Sequence, residues 1–261
     1  MNWNGRKLLE KFLPSVVQFS QGQADIYVAD NNSSDDSIEF LRKTYPEVGI
    51  IQNEINGGYA KGYNDALSRI NADVYALVNS DIEVSEGWLG PVIREFEQNE
   101  NTGIVQPKLL DFKDKSKFEY AGAGGGFVDF MGYPFCRGRI FMELEKDEGQ
   151  FDDSANIFWA SGACFFIRSE LYHELGGFDE DYFAHQEEID LCWRLKNEGK
   201  EVWYCAESEV YHVGGGTLNY MSPRKTLLNF RNNLYTIAKN YRGTLFLKLF
   251  WRMTLDGIAA M

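Results

Sequence analysis

An α/β fold follows from three features of the sequence. Over the first hundred residues short β-type runs alternate with amphipathic helical stretches, the pattern of a parallel sheet with crossover helices. The two most polar strand ends, Asp30-Asn31-Asn32 and Asn79-Ser80-Asp81, close apolar runs at their carboxyl ends, where open α/β sheets bind ligands. The second half changes to glycine-rich and aromatic segments that still carry strand and helix patterns. One domain with a mixed sheet accounts for all three.

Taken in order, residues 6–19 place Leu8, Leu9, Phe12, Leu13, Val16 and Val17 on one helical face. Residues 25–29 read as a strand, and the polar cluster 30–36 supplies caps for a helix from Ser37 to Tyr45, stopped by Pro46. Strands are expected at 48–52, 73–79 and 103–106, with a helix at 86–98. The turn Asn56-Gly57-Gly58-Tyr59-Ala60-Lys61-Gly62 leads to a helix ending near Ile70. Beyond it, 158–167 reads as a buried strand, 168–175 and 186–197 as helices, 201–206 and 209–213 as strands. Gly199 is placed to close the second of these helices, and a basic, aromatic helix runs from Ser222 to Tyr241.

Composition narrows the function. The chain has 261 residues, 44% hydrophobic and 25% charged, with a formal net charge of -13. That is a globular composition, and its charge opposes nucleic-acid backbones. Cys136, Cys164, Cys192 and Cys205 form no CxxC pair, so they are expected as reduced thiols of a cytoplasmic protein. No apolar run approaches the roughly 20 residues of a membrane span.

Neither glycine-rich segment is a P-loop or a dinucleotide fingerprint: 57–62 lacks the Lys-Ser/Thr pair, and 122–126 does not open a helix. Taken alone, Asn79-Ser80-Asp81 reads as a turn cap, and His212 as a structural histidine beside glycines that permit close approach of a ligand. The segment 176–194 is denser. Glu187 and Glu188 fall in the first turn of a helix, where exposed N–H groups favour carboxylates, and Glu187, Asp190 and Arg194 share a face, so that an ion pair orients the acids.

In chain order, Asp30-Asn31-Asn32-Ser33-Ser34-Asp35, residues 56–64, Asn79-Ser80-Asp81, Ser161-Gly162-Ala163, Gly177-Phe178-Asp179, residues 187–194 and His212-Val213-Gly214-Gly215 resemble the family-2 inverting glycosyltransferases, nearest to the bacterial rhamnosyltransferase-like branch. The resemblance implies a glycosyltransferase A-type fold: a Rossmann-like nucleotide-binding half (residues 1–106) and a mixed-sheet acceptor half (107–241), followed by a helical segment, 242–261. It implies a dTDP- or UDP-sugar donor and a glycan or lipid-linked acceptor in cell-surface polysaccharide synthesis. Asp30 then meets the nucleobase, with Asn32, Gly58, Lys61, Gly62, Asn64 and Ser80 around the donor. Asp81, with His212, holds Mg²⁺ or Mn²⁺. Glu188 is the first candidate for catalytic base and Asp190 the second, with Glu187 beside them. Trp159 and Trp193 are expected in the core.

The sequence departs from the family pattern at four points. Asn79 stands where the first metal-binding acid is usual, and Glu188 replaces the usual aspartate. The apolar strand that usually precedes Asn2-Trp3-Asn4-Gly5 is missing, and relatives tend to continue past the C-terminal segment. Residues 242–252 are basic and apolar enough for peripheral contact with the inner face of the plasma membrane, and equally suited to core packing or a partner helix. Two other functions remain open on sequence: a non-catalytic nucleotide-sugar binding or scaffold subunit, and a nucleotidyltransferase. The absence of a basic triphosphate loop opposes the second.

Overall fold

The computed structural model describes residues 1–182, 184–214 and 223–260. Gly215, Gly216 and the expected helix start at Ser222 lie outside them.

The elements follow the expected order with shifted bounds: α1 (Arg6–Ser20), β1 (Tyr27–Asp30), α2 (Ser37–Thr44), β2 (Gly49–Gln52), α3 (Gly58–Leu67), β3 (Val74–Val78), β4 (Ile82–Val84), α4 (Leu89–Gln98) and β5 (Thr102–Asp111). Four short strands make two hairpins, β6 (Gly126–Val128) with β7 (Pro134–Cys136) and β8 (Arg139–Ile140) with β9 (Glu143–Leu144). Then come β10 (Ala155–Ile157), β11 (Cys164–Arg168), α5 (Ser169–Glu174), α6 (Glu187–Asn197), β12 (Glu201–His212), α7 (Pro223–Asn240) and α8 (Leu245–Ala260).

The main sheet is mixed, in the order β10-β12-β5-β11-β3, with β4 also on β12. The expected continuous parallel sheet over the first hundred residues is not what forms. β1 and β2 make a separate parallel pair, and among the described residues β3 joins antiparallel β11 alone. Between β1 and β3 sit Met1 and Asn2. The Asn2 N–H donates to Ala29 O at 2.8 Å, Asn31 N–H donates to Asn2 O at 2.8 Å, and the Met1 ammonium reaches Val78 O at 3.1 Å. Two residues bridge the strand ends, too few to carry a ladder across the gap.

Three further boundaries differ for local reasons. The 56–62 turn is taken into α3, which starts at Gly58; at Gly62 a Cβ would lie 2.9 Å from the Asn31 amide, so a larger residue cannot pack there. The expected strand 158–167 narrows to β11 because residues 158–163 leave the sheet: Ser161 N–H is drawn to the Gln106 side chain at 2.8 Å. The two strands expected after 200 are one, β12, whose register shifts between Cys205 and Glu209 as a bulge. A division at residue 106 falls inside β5, which pairs with both β11 and β12.

The core has three parts. Leu9 and Leu13 of α1 pack on Val28, Leu41 and Val48. Trp88, Leu89 and Val92 cover one face of the main sheet against Val105 and Phe166. On the other face Tyr63, Leu77, Phe165, Phe178, Leu191 and Leu195 gather, with Trp159 buried among them, as expected for that residue. All four cysteines are free and buried. Gly199, at φ +80°, follows the last turn of α6 in the left-handed conformation a glycine accepts.

Candidate active site

β3 ends at Val78 and the chain turns through Asn79 and Ser80 to Asp81 before entering β4, while β12 ends at His212 beside β4. The pairing of β12 with β4 thus sets His212 opposite Asp81: the His212 Nε2 lies 3.3 Å from Asp81 Oδ1. On its other side His212 Nδ1 lies 3.2 Å from Glu119 Oε1. Glu119 is itself held, its other oxygen accepting the Ala121 N–H at 2.6 Å. Burial works against a charged imidazole, but the two carboxylates win and push His212 up to about 10. The same histidine holds the Asp81 carboxyl below its ordinary value against burial.

The second group of residues is reached through one segment. Asn79 N–H donates to Ala163 O at 3.0 Å, and the neighbouring Gly162 carbonyl accepts the Tyr59 hydroxyl at 2.6 Å. A Cβ on Gly162 would lie 3.6 Å from the Glu188 carboxyl carbon, and the Gly162 backbone N–H favours the charged form of Glu188. Ser161-Gly162-Ala163 therefore links the Asp81 turn to the start of α6. Burial raises Glu188 to about 7, although backbone N–H groups of α6 and Gly162 oppose it. Its neighbour Glu187 is buried and is pushed well above the carboxylate range by burial and by the Glu188 charge. Glu188 keeps solvent-accessible surface, so of the two it is the one open to a ligand.

Several expected donor contacts are turned elsewhere. Asp30 is fully buried: its carboxylate accepts Asn2 Nδ2 at 2.9 Å, Ser33 N–H at 2.9 Å and the Ser33 hydroxyl at 2.6 Å. The group left open at this strand end is Asn32, in the left-handed region at φ 62°. Asn64 is a clip, accepting Tyr172 OH and Phe178 N–H and donating to Phe178 O. Lys61 pairs with Asp65 at 3.0 Å and Glu180 at 3.9 Å, and Gly58 O accepts the Asn31 amide. Ser80 is half-buried in the Asp81 turn. Asp190 has no accessible surface; Arg194 at 2.8 Å, Lys239 at 3.1 Å and Asn240 at 2.8 Å occupy its oxygens. Arg194 orients Asp190 but not Glu187, since its remaining nitrogens bind the Leu175 and Gly177 carbonyls.

Residues 2–176 match the description "Glycosyl transferase family 2". The chain belongs to that family. It is 25% identical over 220 residues, 78% of its length and 71% of the relative's, to the N-acetylglucosaminyl-diphospho-decaprenol L-rhamnosyltransferase of Mycobacterium tuberculosis. With a low-salt glycan biosynthesis hexosyltransferase of Haloferax volcanii it shares 23% over 85% of its length and 70% of the relative's. These matches place the transferase in the rhamnosyltransferase-like branch. The fold is that of glycosyltransferase A-type structures. The mannosyltransferase of Pyrobaculum calidifontis with GDP-Man and Mn²⁺ superposes with a TM-score of 0.62 at 14% identity, over 92% of this chain and 62% of that one. GalNAc-T7 with UDP, GalNAc and Mn²⁺ gives 0.64 at 14%, over 88% and 45%. The transferase thus spans less than two thirds of either solved chain.

Asp81 and His212 would serve a divalent cation only once His212 gives up the proton that Asp81 and Glu119 favour on it. An oxygen and a nitrogen donor face each other at 3.3 Å, each side chain keeping 12–15% exposure, a donor set that Mn²⁺ and Mg²⁺ accept. Among the described residues no three His, Cys, Asp or Glu side chains form a metal cage, so oxygens of a bound diphosphate and water would complete the shell. Glu119 escaped sequence reasoning. It sits in no motif, 93 positions from His212, and only the topology brings the two together.

Proposed function

We propose that this family-2 transferase moves a sugar, with inversion, from a dTDP- or UDP-sugar to a hydroxyl of a glycan or lipid-linked acceptor in bacterial cell-surface polysaccharide synthesis. The observation that supports it most is the Ser161-Gly162-Ala163 segment, which borders Glu188 at Gly162 and is tied through Ala163 to Asn79 of the Asp81 turn. Glu188 takes the acceptor hydroxyl proton as its oxygen attacks the anomeric carbon, and the bond from that carbon to the diphosphate oxygen breaks on the opposite side. Asp81 and His212 would hold a divalent cation, which would supply charge neutralisation for a diphosphate leaving group. Asn32 and the first turn of α3 border the nucleoside. Residues 1–241 form the transferase unit and 242–261 a C-terminal helical segment.

Thermal unfolding with UDP, dTDP or GDP, each with and without Mn²⁺, tests the donor site. One nucleotide at about 100 times its Kd is expected to add about 2.7 kcal/mol, and only with metal. If no nucleotide shifts the transition, the donor reading falls.

The transferase is cytoplasmic in this reading and meets the inner face of the plasma membrane peripherally. No helix among the described residues is long and apolar enough to cross a membrane. The outer face of α8 nevertheless presents Phe246, Leu247, Phe250, Trp251 and Met253, all more than half exposed, beside Phe130 at 85%. Seven of the 26 Lys and Arg but one of the 39 Asp and Glu fall within 223–261, leaving that segment at +6 and the rest at -19. Aromatic side chains with net positive charge suit anionic lipid. Flotation with phosphatidylcholine vesicles, with and without phosphatidylglycerol, is expected to carry the protein only on the anionic ones. Equal flotation on both, or none, would remove the lipid assignment.

A further inference from the structure

We infer that Asn232 of α7 is a positioning residue for Glu188, acting through the backbone turn that launches α6. The inference rests on Glu188 as the base. His185 and Gln186 precede Glu187 with φ of 70° and 76°. Two consecutive non-glycine residues in the left-handed region are costly and persist only where their surroundings impose them.

The side-chain amide of Asn232 is placed to impose them. Its nitrogen lies 3.0 Å from Tyr182 O, 2.9 Å from Ala184 O and 2.7 Å from His185 O, so three carbonyls of the turn converge on one buried donor. The next residue, Asn233, donates to the Gln186 side-chain oxygen at 3.2 Å and to Gly132 O at 3.0 Å. Asn232 and Asn233 are fully or nearly fully buried. One turn later Tyr182 OH meets Thr236 at 2.9 Å, and at the end of α7 Asn240 binds Asp190 at 2.8 Å. α7 thus grips the turn and the body of α6 at separate points. A helix start gripped at both places holds Glu188 against Gly162 in one orientation, which is what a base in an in-line displacement requires.

Steady-state kinetics on N232A tests this, with H185G and the double variant H185G/N232A alongside. Loss of the amide is expected to lower kcat by about 10- to 100-fold, the scale of a small misplacement of a reacting group, with donor KM within about twofold. Glycine adopts the left-handed region without the side-chain penalty, so the double variant is expected to recover most of the lost kcat. Should N232A not fold, N233A with Q186G as its rescue carries the same comparison. Wild-type turnover by N232A overturns the inference. So does a loss that glycine fails to restore, since Asn232 would then serve packing alone. E188Q is measured in parallel: wild-type turnover by E188Q removes the base assignment itself, whereas an inactive E188Q with a fully active N232A removes only the role of Asn232.

Discussion

Glu188→Gln is expected to lower kcat by about 10²–10⁴-fold, the range of general-base contributions, with nucleotide binding unchanged. Glutamine fills the same space beside Gly162 but cannot take a proton. In the wild type, kcat should rise with pH through about 7 as Glu188 ionises. Its surroundings are Glu187 on the same helix turn, Tyr59 of α3 and Cys192 one turn on; burial keeps Glu187 neutral longer and holds Tyr59 protonated. Stability should move the other way. A carboxyl whose folded pKa lies above its unfolded value of 4.5 keeps its proton in the folded state while the unfolded chain has lost it, so stability falls as pH rises from about 4.5 to about 7. E188Q lacks that loss and should melt at a higher temperature than the wild type at pH 7.5, an inactive but more stable protein. Calorimetry at pH 5 and pH 7.5 checks this. Equal melting differences at both pH values would show that the Glu188 carboxyl is not raised.

Asp81→Ala is expected to cost about 10²–10³-fold in kcat, the scale of losing one electrostatic group at a developing charge, and to abolish Mn²⁺ binding in the presence of UDP. Where β4 meets β12, removing the carboxylate leaves His212 facing Glu119 alone. The check is a titration of Mn²⁺ into protein with UDP, followed by the free-ion paramagnetic signal, beside turnover of the same sample. Retained Mn²⁺ affinity in the variant would remove Asp81 from the cation site, and turnover without added metal would remove the cation from the reaction.

Much of this arrangement can be read from residue order because its parts sit at strand ends. Asp81 closes an apolar run, His212 ends another, and Glu188 opens a helix, each an expression of local pattern. What escapes is set by residues distant in sequence. The carboxylate of Asp30 faces inward because Asn2, 28 positions earlier, folds back onto it, and no periodicity reports that. Asn64 turns to Phe178 across 114 positions. Asn232 lies in a stretch that reads only as a basic, aromatic helix, yet it is fully buried against carbonyls of a turn whose left-handed backbone leaves no mark in composition. Asp190 shows the converse. Its place in an acidic cluster suggests chemistry, and the geometry makes it an ion-pair tie between α6 and α7.

The four buried thiols make the fold a set of internal clocks. Cys164 opens β11 of the main sheet opposite Val78 of β3, Cys205 lies on β12 at its bulge, Cys192 on α6 and Cys136 on the outlying β6–β7 hairpin. Burial raises Cys205 to about 11, Cys192 to about 12 and Cys164 higher still, so in the closed protein those three present almost no thiolate to a labelling reagent. Each reacts only when its own neighbourhood opens, and the rate then measures the free energy of that opening. The order in which mass-resolved labels arrive therefore separates events that a single melting curve merges: fraying of the hairpin, release of α6 from α7, and rupture of the central sheet. A donor nucleotide that braces the Asp81 turn should slow the clock at Cys164, one strand away from it, and leave the one at Cys136 running.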